Sequence, residues 1–420
     1  MIEKDILKKI IIEQKKLFKF KYIQREKESI LEEKSKSDFI VIISGIRRCG
    51  KSVLLSEFKN KQNQKDYYIN FDDERLNNFE VEDFEKLYEV FIELFDKQST
   101  FYFDEIQNVN GWEKFVRRLN DYSNKIYITG SNANLLSKDL GTHLTGRYVK
   151  LELFPASFKE YLNFKKIKVE KNDFYIREKQ VLIQKEFQNY LKEGGFLKYL
   201  ETKDNDFFKI LFDNILYRDI IVKYKVSYEK GIKDILHYLT SNISKEYSYT
   251  TLKSISNISS ITTIKDYISY LENSYLLFSI TQYDKSLKKQ LINPKKAYII
   301  DTGLANSISF KFSEDKGRLL ENLVFIQLRR EGKEVYIHKQ KKECDFVIKI
   351  GLDIVQAIQV TKSLEDIDTK KREIAGLLDA CSTYKLKNGL ILTEDEEYEL
   401  EQDGVKIQVM PIWKWCLLEQ

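Results

Sequence analysis

The stretch Phe39-Ile40-Val41-Ile42-Ile43-Ser44-Gly45-Ile46-Arg47-Arg48-Cys49-Gly50-Lys51-Ser52-Val53 decides how the first third of the chain folds. Its opening run is apolar at every residue, as expected of a strand covered on both faces by helices. Residues 45–52 then match G-x-x-x-x-G-K-[ST] at every fixed position. Gly45 and Gly50 let the backbone turn where a Cβ would clash, so that consecutive N–H groups point inward at phosphate oxygens. The helix starting near Lys51 adds the positive end of its dipole, and Val53, Leu54 and Phe58 give it an apolar face. Lys51 supplies a charge for the β- and γ-phosphates of a nucleotide, and the Ser52 hydroxyl reaches Mg²⁺. The expected nucleotide-binding set is therefore Gly45, Ile46, Arg47, Arg48, Cys49, Gly50, Lys51, Ser52 and Val53, with Arg47 and Arg48 at exposed loop positions.

Working outward, further strands are expected at 67–71, 100–103, 125–129 and 148–153, alternating with helices, which predicts a three-layer α/β/α domain. Phe101-Tyr102-Phe103-Asp104-Glu105 is an apolar strand ending in two acids. In a nucleotide hydrolase Asp104 would hold the Mg²⁺ shell and Glu105 would polarise the attacking water. The strand at 125–129 ends in Gly130-Ser131-Asn132, and Ser131, then Asn132, are candidates to sense the γ-phosphate. Arg147, just before the last strand, is a candidate for stabilising transition-state charge, in cis or in trans.

Residues 1–36 read as an amphipathic helical lead-in, and 155–230 as helical with a break at Gly194-Gly195. Amphipathic stretches at 232–243, 250–258 and 262–277, followed by β-prone 277–282, suggest a winged-helix-like unit. After about residue 319 the pattern returns to α/β, with helices at 319–331 and 364–380 and strands at 334–338, 345–350, 355–360, 389–392 and 405–410. The expected division is 1–36, 37–165, 166–230, 231–312 and 313–420.

With 26 Tyr and 26 Phe among 420 residues the chain is expected to be globular, and its net charge of +5 neither demands nor excludes a nucleic-acid partner. Four cysteines and three histidines, all scattered, argue against a disulfide framework or a zinc site. The N-terminus does not read as a targeting segment, and no apolar run approaches the ~20 residues that span a bilayer, so a cytoplasmic protein is expected.

The succession Ile69-Asn-Phe-Asp-Asp73, Phe103-Asp-Glu-Ile-Gln-Asn-Val-Asn-Gly-Trp-Glu113, Ile128-Thr-Gly-Ser-Asn132, Leu144-Thr-Gly-Arg147 and Leu153-Phe-Pro-Ala-Ser-Phe-Lys-Glu-Tyr-Leu162, added to the loop, closely resembles the prokaryotic AAA-type ATPases with a C-terminal domain of unknown function, DUF4143. Later landmarks agree: Glu193-Gly-Gly-Phe196, Tyr217-Arg-Asp-Ile220, Ile300-Asp-Thr-Gly-Leu304 and Glu321-Asn-Leu-Val-Phe325. The resemblance implies the additional-strand class of P-loop fold, with another strand between those of Gly45 and Asp104. It also implies a restriction-endonuclease-like C-terminal fold of the PD-(D/E)xK type. Glu321 and Asp345 match the helical and first-strand acids of such a site, but Gln359 and Thr361 stand where Glu-x-Lys is required, and Lys362 is one residue late. A one-residue slip turns a strand side chain to the opposite face. The expectation is Mg²⁺-dependent ATP hydrolysis whose nucleotide state switches C-terminal domains that no longer cleave DNA. The alternatives are an ATP-dependent DNA-binding or DNA-processing protein, docking through Lys253 and Lys265, and a slow nucleotide switch in defence or regulation. A homo-oligomer or protein partner is left open.

Overall fold

The five residues Ile40–Ser44 (β1) are all buried, and their neighbours explain why. In the computed structural model β1 lies inside a five-stranded sheet, wholly parallel, in the order β2-β3-β4-β1-β5. The others are β2 (Tyr67–Asn70), β3 (Thr100–Asp104), β4 (Lys125–Gly130) and β5 (Tyr148–Glu152). β4 thus separates the Asp104 strand from the Gly45 strand, as expected of the additional-strand arrangement. The structure describes residues 2–16, 23–62, 66–133, 144, 146–308 and 316–418.

The chain forms two compact units, Met1–Phe154 with Asn273–Tyr275, and Pro155–Glu272 with Leu276–Gln420. This differs from the five-part division read from the sequence. The N-terminal helix Lys4–Lys16 is no separate lead-in, because Leu7, Ile10 and Ile11 join the same apolar core as Ile40, Ile42, Phe101 and Phe103. That face has no other place to leave water, and burying it ties the helix to the sheet.

The second unit carries helices Phe158–Phe164 and Arg177–Glu193, and then Phe207–Asn214, which runs directly into a π-helical stretch, Ile215–Val222. There follow helix Glu229–Ser241, β6 (Glu246–Tyr247), helices Tyr249–Ser256 and Ile261–Asn273, β7 (Leu277–Thr281) and β8 (Lys295–Ile299). β6, β8 and β7 pair antiparallel in that order. A six-stranded mixed sheet completes the unit in the order β13-β14-β12-β11-β10-β9. Its strands are β9 (Glu334–Lys339), β10 (Glu343–Ile350), β11 (Asp353–Val360), β12 (Asn388–Thr393), β13 (Tyr398–Gln402) and β14 (Val405–Pro411). Helix Ile367–Tyr384 packs on β10, β11 and β12 around Cys344, Val347, Leu377 and Cys381. β8 and β13 escape the sequence reading because one opens on two lysines and the other, Tyr398-Glu-Leu-Glu-Gln, is a polar edge.

Two of the sequence landmarks meet here. The buried Asp301 carboxylate accepts from the Gly195 N–H at 2.7 Å and the Leu304 N–H at 2.9 Å. Burial pushes its pKa up to about 6, against the pull of those donors. A Cβ on Gly303 would stand 2.1 Å from the Glu193 carbonyl oxygen, a backbone atom that cannot rotate away. Gly303→Ala is therefore expected to destabilise this unit by about 2–3 kcal/mol. Urea unfolding should show a lower midpoint at unchanged slope; an unaltered midpoint would refute the packing account.

Candidate functional site

Backbone geometry builds the loop first. Gly45 has φ 154° and Gly50 φ 103°, and a Cβ on Gly45 would fall 2.0 Å from the Leu153 carbonyl oxygen. Both glycines are thus required by space or conformation, as the pattern implies. Arg25 braces the loop from below, donating from Nη1 to the Cys49 carbonyl at 2.9 Å and from Nη2 to the Phe154 carbonyl at 2.7 Å. The buried Cys49 thiol donates to Leu153 O at 3.3 Å, and the Tyr275 hydroxyl donates to Ser44 Oγ at 2.8 Å. Ile46 is buried, Arg47 lies 3.6 Å from Asp72, and Arg48 is exposed in a left-handed conformation.

The parallel register aligns the carboxyl ends of β1, β3 and β4, and so brings four expected residues together. Lys51, 3% exposed, places Nζ 3.3 Å from Glu105 Oε1 and 3.3 Å from the Ile46 carbonyl oxygen. Ser52 Oγ donates to Asp104 Oδ1 at 3.0 Å, and the Tyr68 hydroxyl to Asp104 Oδ2 at 3.1 Å. Thr129, at the end of β4, donates its hydroxyl to Asp104 Oδ1 and accepts from the Glu105 N–H at 3.0 Å. Burial opposes the charge on Lys51, yet Glu105 beside it holds its pKa above the ordinary lysine value. Burial and the neighbouring Glu105 push Asp104 up to about 6. For Glu105 burial works the other way from Lys51 and Gln107, which win and hold it below the usual carboxylate range. Glu105 is thus held ionised beside Lys51, as a general base must be. The oxygen donors of Ser52 and Asp104, 3.0 Å apart, are the hard ligands that Mg²⁺ takes, so the residues present fit that ion.

Ser131 and Asn132 are both buried at the carboxyl end of β4. Arg147 lies elsewhere. Its carbonyl accepts from the Ile40 N–H at 3.0 Å, so it sits at the amino end of β5, the length of β1 from the loop, about 13 Å. Its half-exposed guanidinium pairs with Asp121. Of the two alternatives left open for Arg147, in cis or in trans, the structure does not bring it to the loop of its own chain, because the strand that follows it runs parallel to β1 and puts it at the amino end.

Comparison with known proteins decides the affiliation. The uncharacterized protein MJ1544 of Methanocaldococcus jannaschii is 35% identical over 439 residues, spanning 99% of this chain and 96% of its own. An uncharacterized protein of Haemophilus influenzae is 32% identical over 398 residues, 90% of this chain and 94% of its own. An AAA domain matches residues 37–162. The chain belongs to the same family as these two proteins, and it carries an AAA domain. Beyond the AAA domain, residues 184–315 match the domain of unknown function DUF8612. The expected DUF4143 is therefore corrected to DUF8612. Among solved structures, the Walker-type ATPase paby2304 of Pyrococcus abyssi is similar with a TM-score of 0.42 and 18% identity, over 68% of this chain and 96% of that one. The AMPPCP-bound DnaA of Aquifex aeolicus is similar with a TM-score of 0.26 and 17% identity, over 59% and 86%.

In the second unit of this AAA-type protein, the expected acids also converge, around a residue the sequence reading missed. Lys296, buried on β8, places Nζ 3.1 Å from Glu321 Oε1, 3.2 Å from Asp345 Oδ1 and 2.9 Å from Glu343 Oε1. Tyr298, two residues on and hence on the same strand face, donates to Glu321 at 2.7 Å. Burial opposes the Lys296 charge, but Glu321 and Asp345 hold its pKa well above the lysine value, while burial pushes Glu321 up to about 8. Gln359 is spent on protein contacts, accepting from the Asp345 N–H at 3.2 Å and donating to Glu373. Thr361 donates to the Ser363 carbonyl at 3.3 Å. The alternation Lys296-Ala297-Tyr298 was the available signal, hidden because the strand itself went unrecognised. Among the described residues no helix is long and apolar enough to cross a membrane.

Proposed function

We propose that the protein binds ATP at residues 45–52 and hydrolyses it, with Glu105 as general base. The observation that carries this reading is the convergence of buried Lys51 and Asp104 with partly buried Ser52 and Glu105 at the carboxyl ends of β1 and β3. Lys51 binds the β- and γ-phosphates, Ser52 and Asp104 hold Mg²⁺, and Glu105 takes a proton from water. When bound, the metal neutralises charge on the phosphates. Phosphate entry draws Lys51 away from Glu105, which frees the carboxylate at the moment a substrate is present. Ser131 and Asn132 stand where a γ-phosphate would be sensed. Phosphate release, measured with and without single- and double-stranded DNA, tests the reading. No release under any of these conditions would overturn it.

The order helix, β6, two helices, β7, β8, with β8 paired between β6 and β7, supports reading residues 229–299 as winged-helix-like. Nucleotide-dependent switching of the C-terminal region is the corresponding functional reading. For the β9–β14 sheet, an endonuclease-like fold without cleavage is the reading that the cluster favours. The Lys296 ammonium already neutralises the acids that would ligate a metal, and Gln359 is a poor ligand for a hard cation. Supercoiled plasmid incubated with the protein and Mg²⁺ or Mn²⁺ is expected to remain intact. Nicking that disappears in Asp345→Ala would refute this.

A further inference from the structure

Gln107 lies two residues beyond Glu105, in the short 3₁₀ turn Ile106–Asn108. Glu105 enters that turn with φ 53°, a left-handed conformation uncommon for a side chain of its kind and one that concentrates at functional sites. Gln107 Nε2 donates to Glu105 Oε2 at 2.5 Å and reaches Ser131 Oγ at 3.4 Å. The other end of the amide is different. Gln107 Oε1 is buried and has no hydrogen-bond partner among the described residues. Exchanging the amide oxygen and nitrogen gives no relief, since it would set one acceptor against the Glu105 carboxylate.

A buried acceptor left alone is costly, and a purely structural glutamine would avoid that cost by pairing. The group that completes it must be a donor small enough for the site. Water fits both neighbours: one O–H can point to Glu105 and the other to Gln107 Oε1, leaving a lone pair of the oxygen free. We infer that Gln107 orients the attacking water in ATP hydrolysis, holding Glu105 through Nε2 and accepting a hydrogen bond from the second water O–H through Oε1. This rests on the hydrolysis reading above. In the step, the water oxygen bonds to the γ-phosphorus while the bond from phosphorus to the β–γ bridging oxygen breaks, its electron pair remaining on ADP. One water proton passes to Glu105, and the other leaves on the product phosphate.

The test compares the full-length protein with Gln107→Ala and with Gln107→Glu, the latter nearly isosteric in case the alanine variant does not fold. Gln107→Glu keeps an acceptor but loses the donor to Glu105 and sets a second carboxylate against it. Both variants are expected to lower kcat on the order of tenfold to a hundredfold, the worth of a hydrogen bond to a charged group, with KM for ATP little changed. Retention of ADP with aluminium fluoride, which mimics the transition state with its water, should weaken in step with kcat. Retention of ADP with beryllium fluoride, which mimics the ground state, should not. Wild-type turnover in both variants, or equal weakening of the two complexes, overturns the inference alone. A wild-type protein that neither hydrolyses ATP nor retains ADP with aluminium fluoride overturns the hydrolysis reading and this inference with it.

Discussion

Lys51→Ala is expected to abolish measurable ATP turnover, a fall of a hundredfold or more, and to weaken nucleotide binding as well. Each factor of one hundred corresponds to about 2.7 kcal/mol of transition-state stabilisation. The size of the effect follows from position. Lys51 is 3% exposed and its ammonium touches Glu105 and the Ile46 carbonyl, so no nearby solvated lysine can substitute for it. Buried charge interacts strongly with phosphate because little water screens it. Removing it also takes away the neighbouring charge that most lowers the Glu105 pKa. Titration with a fluorescent ATP analogue, alongside phosphate release, gives both readouts. Binding and turnover at wild-type levels would mean that the loop is not the phosphate site.

Glu105→Gln is expected to separate binding from chemistry. The substitution preserves shape, and the amide still lies beside Lys51, but it cannot take a proton from water. Turnover should fall by about 10²–10⁴-fold, the usual worth of a positioned general base, while ATP is still retained. Lys51, no longer paired to a carboxylate, is more available to phosphate, so retention should be at least as tight as in the wild-type protein. Turnover near the wild-type rate would remove Glu105 from the mechanism. Loss of both binding and turnover would assign it a structural role instead.

Together these variants test three proposed roles separately: Lys51 for substrate, Glu105 for the proton, Gln107 for the water. The orphaned Gln107 oxygen is the least visible of the three in the sequence. It sits in Asp104-Glu105-Ile106-Gln107, a segment whose resemblance to a family was plain while the role of its last residue was not.

Local chemistry made much of this protein legible from the chain alone. A run of apolar residues entering Gly45, and a helix leaving Ser52, leave the backbone few alternatives, because glycine conformation and strand burial are decided within a few residues. Asp104 and Glu105 followed from an apolar strand that ends in acids. What lay beyond reach depended on which strands become neighbours. Arg147 is close in sequence to Ser131 and Asn132, yet parallel pairing of β5 with β1 sends it to the opposite end of the strands. Lys296 and Glu321 are 25 residues apart and Lys296 and Asp345 49 apart, and only packing of β8 against the helix Lys316–Arg330 and β10 joins them. Thr129 and Tyr68 likewise acquire their role by facing Asp104 across the sheet. The phosphate loop and its acids are legible in the chain because their signals are short-range. Tertiary structure alone decided which distant side chains share a buried cluster, since burial makes an unpaired charge or acceptor costly and so selects its partners wherever the chain brings them.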